Sequence, residues 1–360
     1  MDTLVASNAT LKTPAYAAQS AAAPLAPWSI DRREPGPHDV LIDILYCGVC
    51  HSDIHQVKDE WHNSIFPMVP GHEIIGRVDN VGSHVKKWKP GHIVGVGCFV
   101  DSCRRCSACR EGEEQYCEIG MTLTYNGYER DGRTPTYGGY STRITVDENY
   151  VLSIPKTIPL ERAAPLLCAG ITTYSPLKHF GLERGDKLAV VGLGGLGHMA
   201  VKFGHAMGAH VTVLSHSPGK RDDALALGAD DFLVTKDEAV FQENAGRFDF
   251  ILDTVSATHD YNAYLNLLRR EGIMVLVGAP DPTPLSAFPL IMKRRRLAGS
   301  LIGGIRETQE MLDFCGEQNV AADVEVIPIQ EINRAFERML KNDVRYRFVI
   351  DLASLKSGAP

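Results

Sequence analysis

The sequence predicts an α/β chain in two parts, an irregular and mostly β part followed by a doubly wound parallel sheet. Three observations carry this. From "DVLIDILYCGVC" to about Ile154, short apolar runs alternate with glycine-rich turns. From "KLAVVG" onward, apolar runs rich in branched residues recur with helix-sized stretches between most of them. The 360-residue length fits about two domains of roughly 150 residues, and 44% hydrophobic residues supply their cores.

The opening stretch, "MDTLVASNATLKTPAYAAQSAAAPLAP", has no basic segment ahead of an apolar one and is not read as a secretory signal. Its Ala, Pro and Ser content predicts a loosely held lead-in. "IIGRVDNVG", "HIVGVGC" and "YSTRITVDENYVL" then read as strands of the first domain. "PKTIPLERAAPLLCAGITTYSPLKHFGL" reads as helical. "KLAVVG", "HVTVL", "DDFLVT", "FDFILDTV" and "IMVLVG" read as buried strands of βαβ units. The tail holds an amphipathic helix in "PIQEINRAFERMLKNDV" and a strand in "RFVIDL". Its mixed character predicts a return to the first domain.

A formal net charge of −7 argues against a polyanion partner, since nucleic-acid binders present basic faces. The one compact basic run, Lys293 to Arg296, reads as a solvated helix end. No apolar run is long enough to span a bilayer. Nine cysteines without a secretory signal fit a reducing, cytoplasmic setting, where such clusters bind metal more often than they form disulfides.

Gly192, Gly194 and Gly197 form a GxGxxG pattern between a predicted strand, Lys187 to Val191, and a predicted helix. That context marks a Rossmann dinucleotide turn: glycines allow close backbone approach, and the helix N-terminus offers N–H groups to a pyrophosphate. Gly195 and Leu196 fill the turn. An NAD site usually places an acidic residue about 20 positions on, to accept from the ribose 2′-OH. Here Ser215 occupies that position, followed by His216, Ser217, Lys220 and Arg221. No carboxylate repels a 2′-phosphate there, and hydroxyls with cations receive one, so the cofactor is predicted to be NADP(H).

"CRRCSACREGEEQYC" spaces Cys103, Cys106, Cys109 and Cys117 so that four soft ligands can close a tetrahedral zinc shell. A closed shell is structural; an iron–sulfur cluster or free thiols are the competing readings. Cys47, Cys50, His72, Glu73 and Cys168 lie on distant segments, from which a Cys2His set would leave one zinc position open. Each alone also fits a buried structural residue.

"CGVCHSDIH", "GHEIIGRV", the four-cysteine loop, "LLCAGITTY" and "GLGGLGHMA" occur in the order found in medium-chain zinc alcohol dehydrogenases. The chain resembles these from about residue 30 to about 352, and most of all the cinnamyl-alcohol-dehydrogenase subgroup with its bacterial NADP-dependent aldehyde reductases. The resemblance implies a GroES-like catalytic domain over 1–158, completed by 297–360, and a Rossmann domain over 159–296. It implies a catalytic zinc on Cys50, His72 and Cys168, with Glu73 beside it and Asp53 orienting His72. It leaves Cys47, Cys98 and Cys315 without a site role. Hydride would pass between NADPH and a zinc-bound carbonyl or alkoxide, with Ser52 as first proton donor and His55 at the far end of a relay.

By the same likeness His51 faces the pyrophosphate and Thr172 meets the nicotinamide. Val277 and Ile302 complete the cofactor contacts, and Trp61, Leu123 and Leu301 line the substrate pocket. The expected activity is therefore broad-range aldehyde reduction by a homo-oligomer, favoured as a dimer, with two zincs per subunit. "GIMVLVGAP" and "LAGSLIGG" are the candidate edge strands for assembly. A polyol dehydrogenase on the same scaffold, a zinc-knuckle nucleic-acid binder and a metal-free quinone reductase are the alternatives. The acidic balance counts against the second, and the Cys–His–Cys trio against the third.

Overall fold

The computed structural model describes residues 10–21 and 23–356. The chain divides into two compact units, Met1–Cys168 with Gly304–Asp313 and Asp323–Pro360, and Ala169–Gly303 with Phe314–Ala322.

The first unit opens on a hairpin of β1 (Thr10–Ala17) and β2 (Ala26–Arg33). These strands pair antiparallel from Thr10 with Arg33 to Ala17 with Ala26. This corrects the loose lead-in read from composition; residues 1–9 and 22 of that stretch lie outside the described residues. Small side chains are what let the strand pack: Thr13, Ala15, Ala17 and Ala18 are fully buried, and Tyr16 N–H donates to the carbonyl of Tyr140 (2.8 Å).

β3 (Asp39–Gly48), β4 (Ile74–Val81) and β5 (Ile93–Val96) form the centre of a seven-stranded sheet. β6 (Phe99–Asp101), β7 (Thr122–Leu123), β8 (Gly127–Tyr128) and β9 (Pro135–Thr136) make two small ribbons. β10 (Arg143–Asp147) and β11 (Leu152–Ser153) return to the main sheet. β4 runs along one edge of β3, while β10 and a later strand share the other. That crowding explains the near-continuous apolar reading of β3, whose residues are all buried or half-buried. Two helices, α1 (His51–Val57) and α2 (Ser107–Glu111), leave the sheet region, one directly after β3.

The stretch read as one helix is broken. α3 (Leu160–Ala163) runs into a 3₁₀ turn, Ala164–Leu167, and Cys168 (φ −132°, ψ −70°) interrupts the path before α4 (Ala169–His179). The interruption frees Cys168 from the helical ladder, with its side chain buried in the first unit.

In the second unit the predicted strands are observed as β12 (Lys187–Val191), β13 (His210–Ser215), β14 (Asp231–Val234), β15 (Phe248–Asp253) and β16 (Leu268–Leu276), joined by β17 (Arg296–Gly299). All six pair parallel in the order β14-β13-β12-β15-β16-β17. α5 (Gly197–Ala206), α6 (Arg221–Ala226), α7 (Ala239–Glu243), α8 (Tyr261–Leu267) and α9 (Phe288–Ile291) alternate with them.

Three expectations are corrected here. Leu297, where the return to the first domain was placed, lies inside β17, opposite Met274. "GIMVLVGAP" supplies the interior strand β16 and not an edge. The basic run is not a solvated helix end throughout: the Arg295 guanidinium is buried and donates to the carbonyls of Leu268, Asn266 and Pro289.

After α10 (Ile305–Gln318), β18 (Val324–Pro328) and β19 (Arg347–Asp351) enter the first unit's sheet, as the tail predicted. Between them α11 (Ile332–Leu340) buries Ile332, Ala335, Phe336 and Met339, a stripe at helical spacing, and α12 (Ala353–Lys356) closes the described chain. No helix among the described residues is long and apolar enough to cross a membrane.

Candidate active site

Among the described residues of the first unit, two groups of side chains could hold a metal ion: Cys50, His72, Glu73 and Cys168, and Cys103, Cys106, Cys109 and Cys117. In each group the donor atoms lie within 4.8 Å of one another.

The first is assembled from three places in the chain. Cys50 caps α1, His72 and Glu73 precede β4, and Cys168 sits at the helix break. The two sulfurs are 3.9 Å apart. His72 Nδ1 lies 3.2 Å from Asp53 Oδ1, which leaves Nε2 as the ligating nitrogen. Asp53 is fully buried and also accepts from the N–H groups of Cys50 (2.9 Å) and Gly71 (3.1 Å) and from the Tyr140 hydroxyl (3.3 Å). Its carboxylate is thus fixed by donors from three segments before any metal arrives. Burial alone would push His72 down, but Asp53 holds it well above the ordinary histidine range. A hydrogen bond from Cys168 holds Cys50 well below the usual thiol range, aided by Arg347 and His72. Cys168, as donor, is pushed well above it. The pair shares a proton that a metal would displace.

Arg347 enters from β19, buried, and pairs with Glu73 while its Nη1 lies 4.0 Å from Cys50 Sγ. Burial raises Glu73 to about 7, against the pull of Arg347. Glu73 Oε2 has no partner, an orphaned acceptor buried beside two thiols and an imidazole. Two soft thiolates and one oriented imidazole fit Zn²⁺ as three ligands that leave a position open, with the Glu73 carboxylate beside them. Ser52 Oγ lies 3.7 Å from Cys50 Sγ. His55 Nδ1 meets Glu60 Oε2 at 2.5 Å, and its ring lies 5.1 Å from that of Trp61 and 6.3 Å from that of His51. Trp61 is 45% exposed, whereas Leu123 sits half-buried in β7 opposite Phe99.

Sequence reasoning missed Arg347, Tyr125 and Cys98. Tyr125 stacks on His72, with ring centres 5.8 Å apart. Cys98 Sγ donates to the Leu167 carbonyl (3.6 Å), and a Cys98 hydrogen bond helps raise Cys168. None stands at a motif spacing from the ligands; only the apolar setting of "RYRFVID" marked Arg347 as a charge destined for burial.

The second group is local. Cys103 and Cys109 sulfurs are 3.8 Å apart, and backbone N–H groups of Cys106 and Cys103 point at the sulfurs of Cys103 and Cys117 (3.3 Å each). Such donors hold Cys103 below the usual thiol range and, against burial, Cys117 too. Four sulfurs with peptide dipoles aimed at them fit a closed zinc shell. Glu114 Oε2 accepts from Ile305 N–H (3.1 Å), tying the loop to the N-terminus of α10.

In the second unit, Gly192 ends β12 at φ +89°. A Cβ on Gly197 would lie 2.1 Å from the Gly192 carbonyl oxygen, so the turn can close only on glycine. Gly194, Gly195 and Leu196 span the turn, with Leu196 as N-cap of α5. Lys220 Nζ donates to the Leu193 carbonyl in that turn (2.8 Å), and Ser215 Oγ, at the end of β13, accepts from Ser217 N–H (3.2 Å). His216 is exposed beside them, while Arg221 turns to the Phe232 carbonyl (2.9 Å). Val277 N–H donates to Asp253 (3.0 Å), and Thr172 is buried in α4. Ile302 is held at φ +34°, a region a β-branched residue avoids, and Leu301 before it is 46% exposed.

Comparison with known proteins accords with both units. Residues 36–156 match the family model of the alcohol dehydrogenase GroES-like domain, and residues 195–317 that of zinc-binding dehydrogenases. The chain is 59% identical over 345 residues to NADP-dependent alcohol dehydrogenase C 1 of Mycolicibacterium smegmatis, covering 95% of this chain and 99% of that one. It is 55% identical over 349 residues to the aldehyde reductase YahK of Escherichia coli, covering 96% and 99%. A solved cinnamyl alcohol dehydrogenase of Sorghum bicolor superposes with a TM-score of 0.93 at 50% identity, covering 95% of this chain and 98% of that one. The chain belongs to the medium-chain zinc-binding alcohol dehydrogenases, in the cinnamyl-alcohol-dehydrogenase-like branch. It is an oxidoreductase.

Proposed function

We propose that this protein is a zinc- and NADP-dependent alcohol dehydrogenase working mainly as a broad-range aldehyde reductase. The observation that carries the reading is the meeting of Cys50, His72 and Cys168, with Glu73 alongside, in one buried cluster. The first unit carries the metal chemistry and the second the cofactor. A zinc ion on those three residues supplies Lewis acidity toward a carbonyl oxygen, and NADPH supplies hydride.

The chain's own residues do the rest. Asp53 holds His72 in one tautomer and one orientation, so the ligand set needs no reorganisation. Arg347 neutralises Glu73 and adds positive potential beside Cys50. The Ser52 hydroxyl gives the product oxygen its proton, and His55, oriented by Glu60, refills it through a relay, its two ring nitrogens able to accept a proton on one side and pass one on from the other. In the second unit the Gly192–Gly197 turn receives the pyrophosphate at the N-terminus of α5. Ser215, Ser217 and Lys220 receive the 2′-phosphate.

Assembly is proposed as a cytoplasmic homodimer through β17, one of the two edge strands of the parallel sheet, near the exposed Phe288, Ile291 and Met292. The test is a panel of aldehydes with NADPH, run before and after chelation with metal counting. The reading expects two zincs per chain, loss of reduction when the first leaves, and higher kcat/KM with NADPH than with NADH. Reduction that survives complete zinc removal, or a preference for NADH, overturns it.

A further inference from the structure

In the parallel sheet the strand order reverses between β12 and β15, and ligands of such sheets bind at the carboxyl ends flanking that reversal. β12 exits into the glycine turn. β15 exits at Asp253 into a segment, residues 254–260, without helix or strand. This second wall supports the first. Thr254 donates to the Val191 carbonyl through its hydroxyl (2.7 Å) and its N–H (3.1 Å). A Cβ on Gly192 would lie 2.8 Å from Val255 Cγ2, and one on Gly278 would lie 2.3 Å from the Val255 carbonyl oxygen. Val255 thus sets the height of the glycine turn.

The segment is closed by one side-chain clip. Asp253, almost fully buried, accepts from Val255 N–H (3.1 Å) through Oδ1 and meets His259 Nε2 (2.8 Å) through Oδ2. His259 Nδ1 meets the Ala257 carbonyl oxygen at 2.8 Å. A carbonyl only accepts, so Nδ1 donates to Ala257, and a carboxylate opposite Nε2 favours a proton on that nitrogen as well. The edges of Tyr261 and Tyr264 pack on the ring at 5.0 and 5.2 Å, and Asp260 is the other carboxylate facing it.

We infer that His259 is a positioning residue for cofactor binding: clipped to Asp253 and Ala257, it holds residues 254–256 against the glycine turn that takes the dinucleotide. This rests on the nucleotide reading proposed above. Burial alone would lower His259, but Asp253, the Ala257 carbonyl and Asp260 outweigh it and raise it. A raised histidine contributes fully below its ordinary value of about 6.5 and loses its contribution as pH climbs through the folded value. NADPH binding is therefore tight in mild acid and weakens on the alkaline side of that window.

The test is fluorescence titration of the zinc-loaded full chain with NADPH and with NADH across pH, for wild type, His259→Gln and Asp253→Asn. Loss of one charge-assisted hydrogen bond predicts a Kd raised about tenfold in both variants near pH 6.5, converging on wild type at alkaline pH. The NADPH-to-NADH ratio stays constant, and kcat at saturating cofactor is little changed. Wild-type Kd in His259→Gln near pH 6.5, or a fall in kcat with Kd intact, overturns the inference. Should the variants fold poorly, ¹⁵N-histidine spectra of the unmutated protein decide. Both His259 nitrogens protonated at neutral pH, with NADPH raising the titration midpoint, support it; a neutral ring or an unmoved midpoint overturns it. Failure of wild type to bind NADPH at any pH is failure of the nucleotide reading, and the spectra still test the clip.

Discussion

The two clusters of potential metal ligands in the first unit differ in how they are built. The four-cysteine loop draws its ligands from Cys103–Cys117 and its supporting donors from the same loop's peptide N–H groups. The Cys50, His72 and Cys168 centre draws on three distant segments and is braced by Asp53 of the helix that Cys50 caps and by Tyr125 and Arg347 from other segments. A local centre can close its shell and stabilise a loop. A convergent one places an open position inside a core, where charge is poorly screened and worth more.

Removing a ligand separates the two most strongly. Cys50→Ser should cost at least about a thousandfold in kcat/KM, on the order of 4 kcal/mol, while thermal unfolding shifts little. Cys106→Ser should lower Tm and loosen residues 103–117, seen by amide exchange. If Cys106→Ser removed activity with Tm and exchange unchanged, the division of labour would be wrong.

Arg347→Met comes next. It strands Glu73 in the core, a loss of about 3–5 kcal/mol by denaturant unfolding. Glu73→Gln in the same chain should restore part of it; no restoration would mean that the pair is not what Arg347 stabilises. Asp53→Asn keeps the shape but weakens the orientation of His72, so affinity for the catalytic zinc should fall about 10–100-fold by chelator competition, with the four-cysteine zinc unaffected. The smallest effect is His55→Ala, about tenfold in turnover with both zincs retained, since the relay's far end acts through Ser52. Unchanged turnover would remove His55 from the mechanism.

The same contrast explains what was legible in the sequence. Ligands within one loop have a spacing, and spacing can be read without a fold. The glycine turn is local as well, and β12, the turn and α5 appear where its pattern put them. Choosing Cys50 over Cys47 needed family likeness; the structure gives the reason, with Cys47 fully buried against Gly71 and Gly139 and outside the cluster of potential ligands. Arg347 had no partner visible at any fixed offset, because Glu73 reaches it only through the pairing of β3 with β4 and β19. The hairpin of β1 and β2 was missed because alanines signal no strand by propensity; their smallness is what admits them against residues 140–142. Arg295 reads as solvated in the sequence because its charge outweighs what a buried guanidinium can do with carbonyls at a helix end.

Diffraction at the zinc absorption edge tests the central claim most directly. The account predicts two anomalous peaks per chain, one among the four loop cysteines and one bonded to Cys50, His72 and Cys168, with Zn–S near ~2.3 Å and Zn–N about 2.0–2.1 Å. A single peak in the loop, from crystals grown with zinc in excess, would contradict it.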